Sequence, residues 1–344
     1  MGRPNAGKST LLNALVGEKV AIVTSKPQTT RNRIIGVLEV PSKGKRAAAQ
    51  IVFVDTPGVH KPGTQLDRRM MQEVHDALEQ RDVVILMVDA SRAMQLGEAE
   101  DRKRGFSGTE DEFVLSLVKK LDCPVFLVLN KIDLVRREEL LPRIDALMKE
   151  FAFAEVIPMS ARKRDGLEVL VEKLVDRLPQ GERYFPPEQF TDQPERFLVA
   201  ELIRERILME TGEEVPYASA VVIEQFEEPP PQTGKAKKPR PVKGGGMMEP
   251  KLPLTKIAAA IYCERDGQKA ILIGKGGVKL KAIGTGARKE IESLLGTRVF
   301  LELHVIVEPG WRESRGFIDT LDWRRQLEGM AERQGEDAEE GSEG

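Results

Sequence analysis

Gly2-Arg3-Pro4-Asn5-Ala6-Gly7-Lys8-Ser9-Thr10 matches GxxxxGK[ST] in full and runs straight into a helical pattern, Leu11-Leu12-Asn13-Ala14-Leu15-Val16. Glycines at both ends let the backbone curl until successive N–H groups point inward at a phosphate. Lys8 reaches the outer phosphate oxygens as a point charge, and Ser9 offers a hydroxyl to Mg²⁺. Asn5, Ala6, Gly7 and Thr10 complete the cradle, and the following helix adds its positive end. Such a loop normally hangs from a buried parallel strand, yet the chain begins at Met1 with no residues to form one. The sequence thus predicts a sheet short of its central strand, through truncation or a start assigned too late, with unpaired ladders on the flanking strands.

Composition narrows the field. The 344 residues are enough for two domains, and 40% apolar with 31% charged residues is ordinary for a globular protein. A net charge of −2 means that a nucleic-acid partner would be met by a local basic face, not by the whole field. Cys123 and Cys263 stand far apart without metal spacing, which argues against a disulfide framework or zinc site and suits a reducing cytoplasm. No apolar run reaches the length of a membrane span and no secretory signal opens the chain, although peripheral contact with the inner face of a membrane stays open.

Outward from the loop, Arg33 to Val40 and Ala49 to Val54 read as antiparallel strands about a turn at Ser42-Lys43-Gly44-Lys45. Val83 to Val88 and Val125 to Leu129 are continuously apolar, as strands covered on both faces of a parallel sheet are, and Glu155 to Met159 is the last of the series. Helical patterns lie around 68–80, 110–121, 137–150 and 167–178, and Leu96 to Glu110 reads as a surface insertion. A Pro-rich connection at 179–194 separates this domain, 1–178, from a second at 195–325. Arg196 to Met209 has helix periodicity, and Tyr217 to Glu224 and Lys256 to Cys263 read as strands. Between those strands, about 228–252 is basic and too rich in Pro and Gly to bury a core, so it reads as a disordered insertion; 326–344 is an acidic tail.

Three further motifs carry nucleotide chemistry. Asp55-Thr56-Pro57-Gly58 ends a strand, where it delivers a carboxylate near Mg²⁺ and a glycine N–H to the terminal phosphate. Gln28-Thr29-Thr30-Arg31 can offer a threonine hydroxyl to the same metal, Thr30 being favoured over Thr29. Asn130-Lys131-Ile132-Asp133 ends a buried strand; an aspartate there accepts from both N1–H and N2–H of guanine, and leaving it unpaired against the wrong base is costly. Asn130 would fix loop geometry, the Lys131 stem would cover the base, and Ser160-Ala161 would turn a backbone N–H toward guanine O6.

Five motifs in this order resemble the translation-factor-related class of small GTP-binding domains. The residue after Gly58 is Val59, where Ras-like enzymes use a glutamine in this region to orient water. The resemblance offers an alternative, since related GTPases lacking that glutamine use an asparagine at the position of Asn5 to help bind K⁺. Equally open is an Asn5 that only stabilises the loop turn. Catalysis on this reading falls to Lys8, Thr30 and Asn5, with Ser9, Thr30 and Asp55 on the metal.

In the second domain Gly274-Lys275-Gly276-Gly277 is a GxxG loop flanked by apolar residues, with Ile271, Ile273 and Val278 able to line a groove for unstacked bases. Lys275, Lys279, Lys281, Arg288 and Lys289 supply phosphate contacts. The run from Ile273 to Gly296 looks like a KH domain of the prokaryotic αββααβ type, an α+β type II KH fold. A P-loop GTPase three-layer α/β domain followed by this KH domain is similar, across nearly the whole chain, to the Era family of bacterial ribosome-assembly GTPases; Pro27-Gln28-Thr29-Thr30-Arg31 and Gly2-Arg3-Pro4-Asn5 fit it in particular. The resemblance implies a slow, monomeric, cytoplasmic GTPase using GTP/GDP and Mg²⁺, with K⁺ as an option. Its implied partner is the 3′ end region of small-subunit (16S) ribosomal RNA in the maturing small subunit. Two rival readings are an RNA-binding chaperone without productive GTP turnover and a related GTPase acting on another RNA.

Overall fold

A computed structural model describes residues 1–26, 28–44, 47–79, 81–92, 110–212, 214–229, 240–242, 246–248 and 252–324. Pro27, most of the 96–110 insertion and the acidic tail lie outside them. Two compact units follow one another, Met1–Gln193 and Pro194–Gly344.

The first unit runs α1 (Lys8–Val16), β1 (Ile34–Val40), β2 (Ala49–Asp55), α2 (Gln65–Glu79), β3 (Val84–Asp89), α3 (Glu110–Val118), β4 (Val125–Asn130), α4 (Leu140–Glu150), β5 (Glu155–Pro158) and α5 (Leu167–Val175). β3, β4 and β5 form a parallel sheet in that order, and every residue of β4 is buried, as its continuous apolar run requires. Alternation along β4 then sorts the core into two layers. Phe126 and Val128 pack with Leu11 and Leu15 of α1 and Leu170 and Leu174 of α5. Val125, Leu127 and Leu129 pack with Met71 and Val74 of α2, Val114 and Val118 of α3 and Leu147 of α4.

β1 and β2 pair antiparallel as a separate two-stranded sheet. Met1 and Gly2 lie along β3. The Met87 N–H donates to Met1 O at 2.9 Å, the Met1 amine to Ile85 O at 2.7 Å, and Gly2 forms a parallel bridge with Met87. Next to them Phe53, Ile85 and Leu12 line a cavity of about 60 Å³.

The stretch read as an interdomain connection belongs in its larger part to this first unit. Gln50 on β2 accepts from the Tyr184 and Phe185 N–H groups at 2.9 and 3.0 Å and donates to Phe185 O at 2.9 Å. The Val37 N–H donates to Phe190 O, and Thr191 Oγ1 donates to Ile35 O at 2.7 Å. The free edge of the hairpin takes these bonds, which composition alone does not reveal.

The second unit runs α6 (Glu195–Glu210), β6 (Ala220–Glu227), β7 (Arg240–Val242), β8 (Gly246–Met248), β9 (Leu254–Cys263), α7 (Asp266–Ile273), α8 (Val278–Leu295), β10 (Arg298–Val307) and α9 (Arg315–Thr320). Its three-stranded sheet has the order β10-β9-β6, with β10 parallel and β6 antiparallel to β9. Ile203 and Ile207 of α6, Ile283, Ala287 and Ile291 of α8, and Ile257, Ala259 and Ile261 of β9 make one core. β6 starts at Ala220, not Tyr217, because residues 214–218 form a turn whose Ala218 carbonyl takes the indole N–H of the fully buried Trp311 at 3.0 Å. Within the stretch expected to be disordered, β7 pairs antiparallel with β8. Among the described residues no helix is long and apolar enough to cross a membrane.

Candidate functional site

The first unit carries a cleft of about 460 Å³ at the carboxyl ends of its strands, lined among others by Asn5, Lys8, Ser9, Thr30, Gly58 and Lys131. Gly7, which caps α1, has φ 100°, and a Cβ there would lie 2.2 Å from Asn130 Nδ2, so both backbone and space call for glycine. Asn5 also adopts a left-handed φ of 63°, and its Nδ2 donates to Ser25 O at 2.8 Å.

At the phosphate end the groups bond to one another. Ser9 Oγ donates to Asp55 Oδ2 at 2.7 Å, Thr30 Oγ1 lies 2.9 Å from Ser9 Oγ, and Thr30 Oγ1 lies 3.3 Å from the same Asp55 oxygen. Thr29 Oγ1 turns instead to Lys26 O. Asp55 Oδ1 is buried and has no hydrogen-bond partner among the described residues. Two hydroxyls beside an orphaned carboxylate oxygen are a hard, all-oxygen donor set, which suits Mg²⁺. Lys8 Nζ donates to Gly2 O and Arg3 O at 3.1 and 3.0 Å. Burial pushes the Lys8 ammonium down, partly offset by Asp55, and burial likewise pushes the Asp55 carboxyl up against the pull of Lys8. Both groups are therefore poised to gain from a ligand that brings the opposite charge. Asn5 Oδ1 is a second buried acceptor at this end with no partner among the described residues.

At the base end the contacts are complete. Asn130 is 3% exposed; its Nδ2 donates to Ala6 O at 2.8 Å and its Oδ1 accepts the Ala161 N–H at 2.9 Å. Asn130 thus ties the phosphate loop to the segment after β5. Of the Ser160-Ala161 pair, expected to turn a backbone N–H toward guanine O6, the Ala161 N–H is bonded to this buried oxygen, which would otherwise lack a donor. Ser160 Oγ donates to Asp133 Oδ1 at 2.7 Å, which orients the carboxylate. Lys131, at φ 68°, extends its ammonium to Asp89 Oδ2 at 2.7 Å. Burial alone would raise Asp89, but hydrogen bonds from Lys131 and Ser91 hold it below the usual carboxylate range.

Sequence reading missed Asp89 and, more consequentially, Asp67. Thr64 caps α2: its Oγ1 accepts the Asp67 N–H at 3.1 Å while Asp67 Oδ2 accepts the Thr64 N–H at 3.0 Å. Thr64-Gln65-Leu66-Asp67 is a T-x-x-D capping box, a signal that was legible and that starts α2 three residues before its apolar periodicity suggested. Asp67 Oδ1 also takes Gln28 Nε2 at 3.2 Å and His60 Nε2 at 3.0 Å. Val59, by contrast, is fully buried in the same core as Met71 and Val74 and faces no substrate.

In the second unit α7 stops at Gly274, φ 71°, where a Cβ would approach Lys279 Cβ to 2.8 Å. Gly276 and Gly277 follow with φ 62° and 79°, and α8 starts at Val278. Leu272 is buried and Ile273 half-buried, whereas Ile271 and Val278 are 45% and 70% exposed. Lys275, Lys281, Arg288 and Lys289 are exposed and Lys279 half-exposed, and none has an ion pair among the described residues. Lys281 and Arg288, two helical turns apart, share a face of α8.

The family described as 50S ribosome-binding GTPase matches residues 1–131, and the KH domain family matches 252–312. A protein named GTPase Era from Heliobacterium modesticaldum is 43% identical over 328 residues, covering 95% of this chain and 96% of its own. A GTPase Era from Geobacter metallireducens is 42% identical over 323 residues, covering 94% and 95%. Among solved structures, Era in complex with MgGDPNP and nucleotides 1506–1542 of 16S ribosomal RNA superposes with a TM-score of 0.77 at 36% identity, covering 94% of this chain and 96% of the other. A single-residue variant of Aquifex aeolicus Era bound to GDP·AlF4⁻ gives the same values.

Proposed function

The chain belongs to the Era family of GTPases, and from that premise we propose a switch that hydrolyses GTP to GDP and phosphate, grips the 3′ end region of 16S ribosomal RNA through its KH unit, and acts in maturation of the small ribosomal subunit. The observation that carries this is the convergence of Ser9, Thr30 and Asp55 within hydrogen-bonding distance in one unit of a chain whose other unit presents an open GxxG loop. The family matched by the first 131 residues is described by the large subunit. Likeness to Era spans both units, and the RNA partner follows from the KH unit.

Asp133 selects guanine, its carboxylate held ready by Ser160. Asn130 keeps base and phosphate segments in register. Ser9, Thr30 and Asp55 would hold Mg²⁺, which neutralises phosphate charge when bound. Lys8 gives up its two loop carbonyls for phosphate oxygens, so its charge serves the leaving group in a water-poor cleft. Val59, sealed in the core, does not orient water. The unpartnered Asn5 Oδ1 favours the K⁺ reading over a purely structural turn. In the KH unit, Gly274 to Gly277 admit the sugar-phosphate chain, Lys275, Lys279, Lys281 and Arg288 meet its charge, and Ile273 helps shape the groove.

Steady-state GTP hydrolysis in K⁺ and in Na⁺, with and without an RNA copying the small-subunit 3′ end, tests this. RNA-responsive turnover that rises in K⁺ is expected; binding of RNA with no turnover in either salt would leave only the chaperone reading. We place the protein in the cytoplasm beside its RNA, acting as a monomer. Flotation with anionic vesicles tests contact with the inner face of the membrane.

A further inference from the structure

His60 lies between two acceptors. Its Nδ1 is 2.8 Å from Gly58 O and its Nε2 is 3.0 Å from Asp67 Oδ1. A carbonyl and an ionised carboxylate have no proton to give, and a neutral imidazole has one N–H, so only the imidazolium fills both contacts. We infer that His60 is a doubly protonated positioning residue that fastens the Gly58–Val59 peptide to Asp67, so that its charge state sets how the Gly58 N–H meets the terminal phosphate. This rests on the GTPase reading given above.

The surroundings support a clamp, not an ordinary surface contact. The Gly58–Val59 peptide is held at its other end too, where the Val59 N–H donates to Gly2 O of the phosphate loop at 3.1 Å, and the Val59 side chain is sealed in the core. The histidine side chain is only 13% exposed. Through Gln28 the same Asp67 reaches the segment that carries Thr30, so both chain segments facing the phosphates hang from one carboxylate.

Charged groups around the ring agree with this assignment. Asp67 comes from the start of α2 and Glu110 from the start of α3, both favouring the cation. Arg3 of the phosphate loop is spent on Glu110 and Asp111 at 2.5 and 2.9 Å, and Lys61 follows in the chain. The Asp67 hydrogen bond therefore holds His60 above the usual imidazole range, against burial. Burial alone would raise Asp67, yet hydrogen bonds from His60, Gly63 and Thr64 hold it well below the usual carboxylate range, so it stays ionised. The sign follows: the clamp is complete below the ordinary histidine pKa and is lost as pH rises through the raised one.

The full chain would be followed by NMR of its three histidines, with affinity for a nonhydrolysable GTP analogue and for GDP measured from about pH 6 to about pH 9. The His60 resonance, assigned by its loss in His60→Gln, is expected to titrate above the ordinary histidine range. Affinity for the analogue should fall about tenfold through that same titration, the cost of one charge-assisted hydrogen bond, while GDP affinity stays flat. His60→Gln should be weak and pH-independent toward the analogue. His60→Arg, which keeps two donors at every pH, should be pH-independent and nearer to wild type at low pH. A His60 titrating at or below the ordinary range, or a His60→Gln protein with the wild-type pH profile, would overturn the assignment. Failure of every variant and of wild type to bind either nucleotide would instead remove the GTPase reading beneath it, and the NMR titration would still report on the clamp.

Discussion

Asn130 is buried, bonded at both ends of its amide and shared between two loops, whereas Lys275 stands in solvent on a loop whose Gly276 and Gly277 face open space. The two recognition regions of this chain are built on opposite plans. A nucleotide is small and carries a fixed array of donors and charges, so a few buried groups, each oriented by a neighbour, can meet it one for one. A single strand of RNA is long and flexible, and the KH unit offers it a rigid core, a loop without side-chain obstruction, and mobile charge on long stems. Loss of one group should therefore be severe and insensitive to salt in the first unit, and graded and salt-dependent in the second.

The largest break should come from Asp133→Asn. With an acceptor replaced by an amide that also donates, GTP affinity is expected to fall roughly 10³- to 10⁴-fold, and a xanthosine nucleotide, with a carbonyl where guanine has its amine, should recover much of it. Competition binding with the two nucleotides reads this directly. Lys8→Ala should lower turnover about 10²- to 10³-fold with little change in the fold, since its present partners are only two loop carbonyls. Circular dichroism beside a phosphate-release assay separates the two effects.

On the RNA side the effects shrink. Gly274→Ala forces a Cβ against Lys279 in a left-handed conformation, and RNA affinity should drop about tenfold with GTP affinity untouched. The smallest effect belongs to Lys281→Ala and Arg288→Ala. Each should weaken RNA binding a few-fold and flatten the plot of log affinity against log salt by about 0.7. An equal loss at all salt concentrations would mean that the charges are orienting groups after all, and the contrast between the two plans would fail.

Motifs whose members are close in sequence were readable in advance as to place: the phosphate loop runs into α1, Asp55 ends β2, Asn130 ends β4 and the GxxG turn joins α7 to α8. The alternation of β4 between two helical layers also followed from its unbroken apolar run. What could not be read were partnerships across the fold. Asp89 with Lys131, His60 and Gln28 with Asp67, and Asn130 with Ala161 join residues whose adjacency only the tertiary structure creates. The capping box at Thr64 was visible, but not that its acid has further partners. The short helix α7 was implied by the αββααβ order and not by its own residues, since Ile271, Leu272 and Ile273 resemble a strand more than the end of a helix.

Gln50 and Asp55 are opposite ends of one strand. At one end β2 presents the Asp55 carboxylate to Ser9; at the other it holds Tyr184 and Phe185, on the stretch that runs on to the end of the first unit. A hydrogen-bonded strand is stiff along its length, and these five steps span about 17 Å. β2 is therefore a stiff rod that ties the position of Asp55 to the place where residues 184 and 185 are pinned.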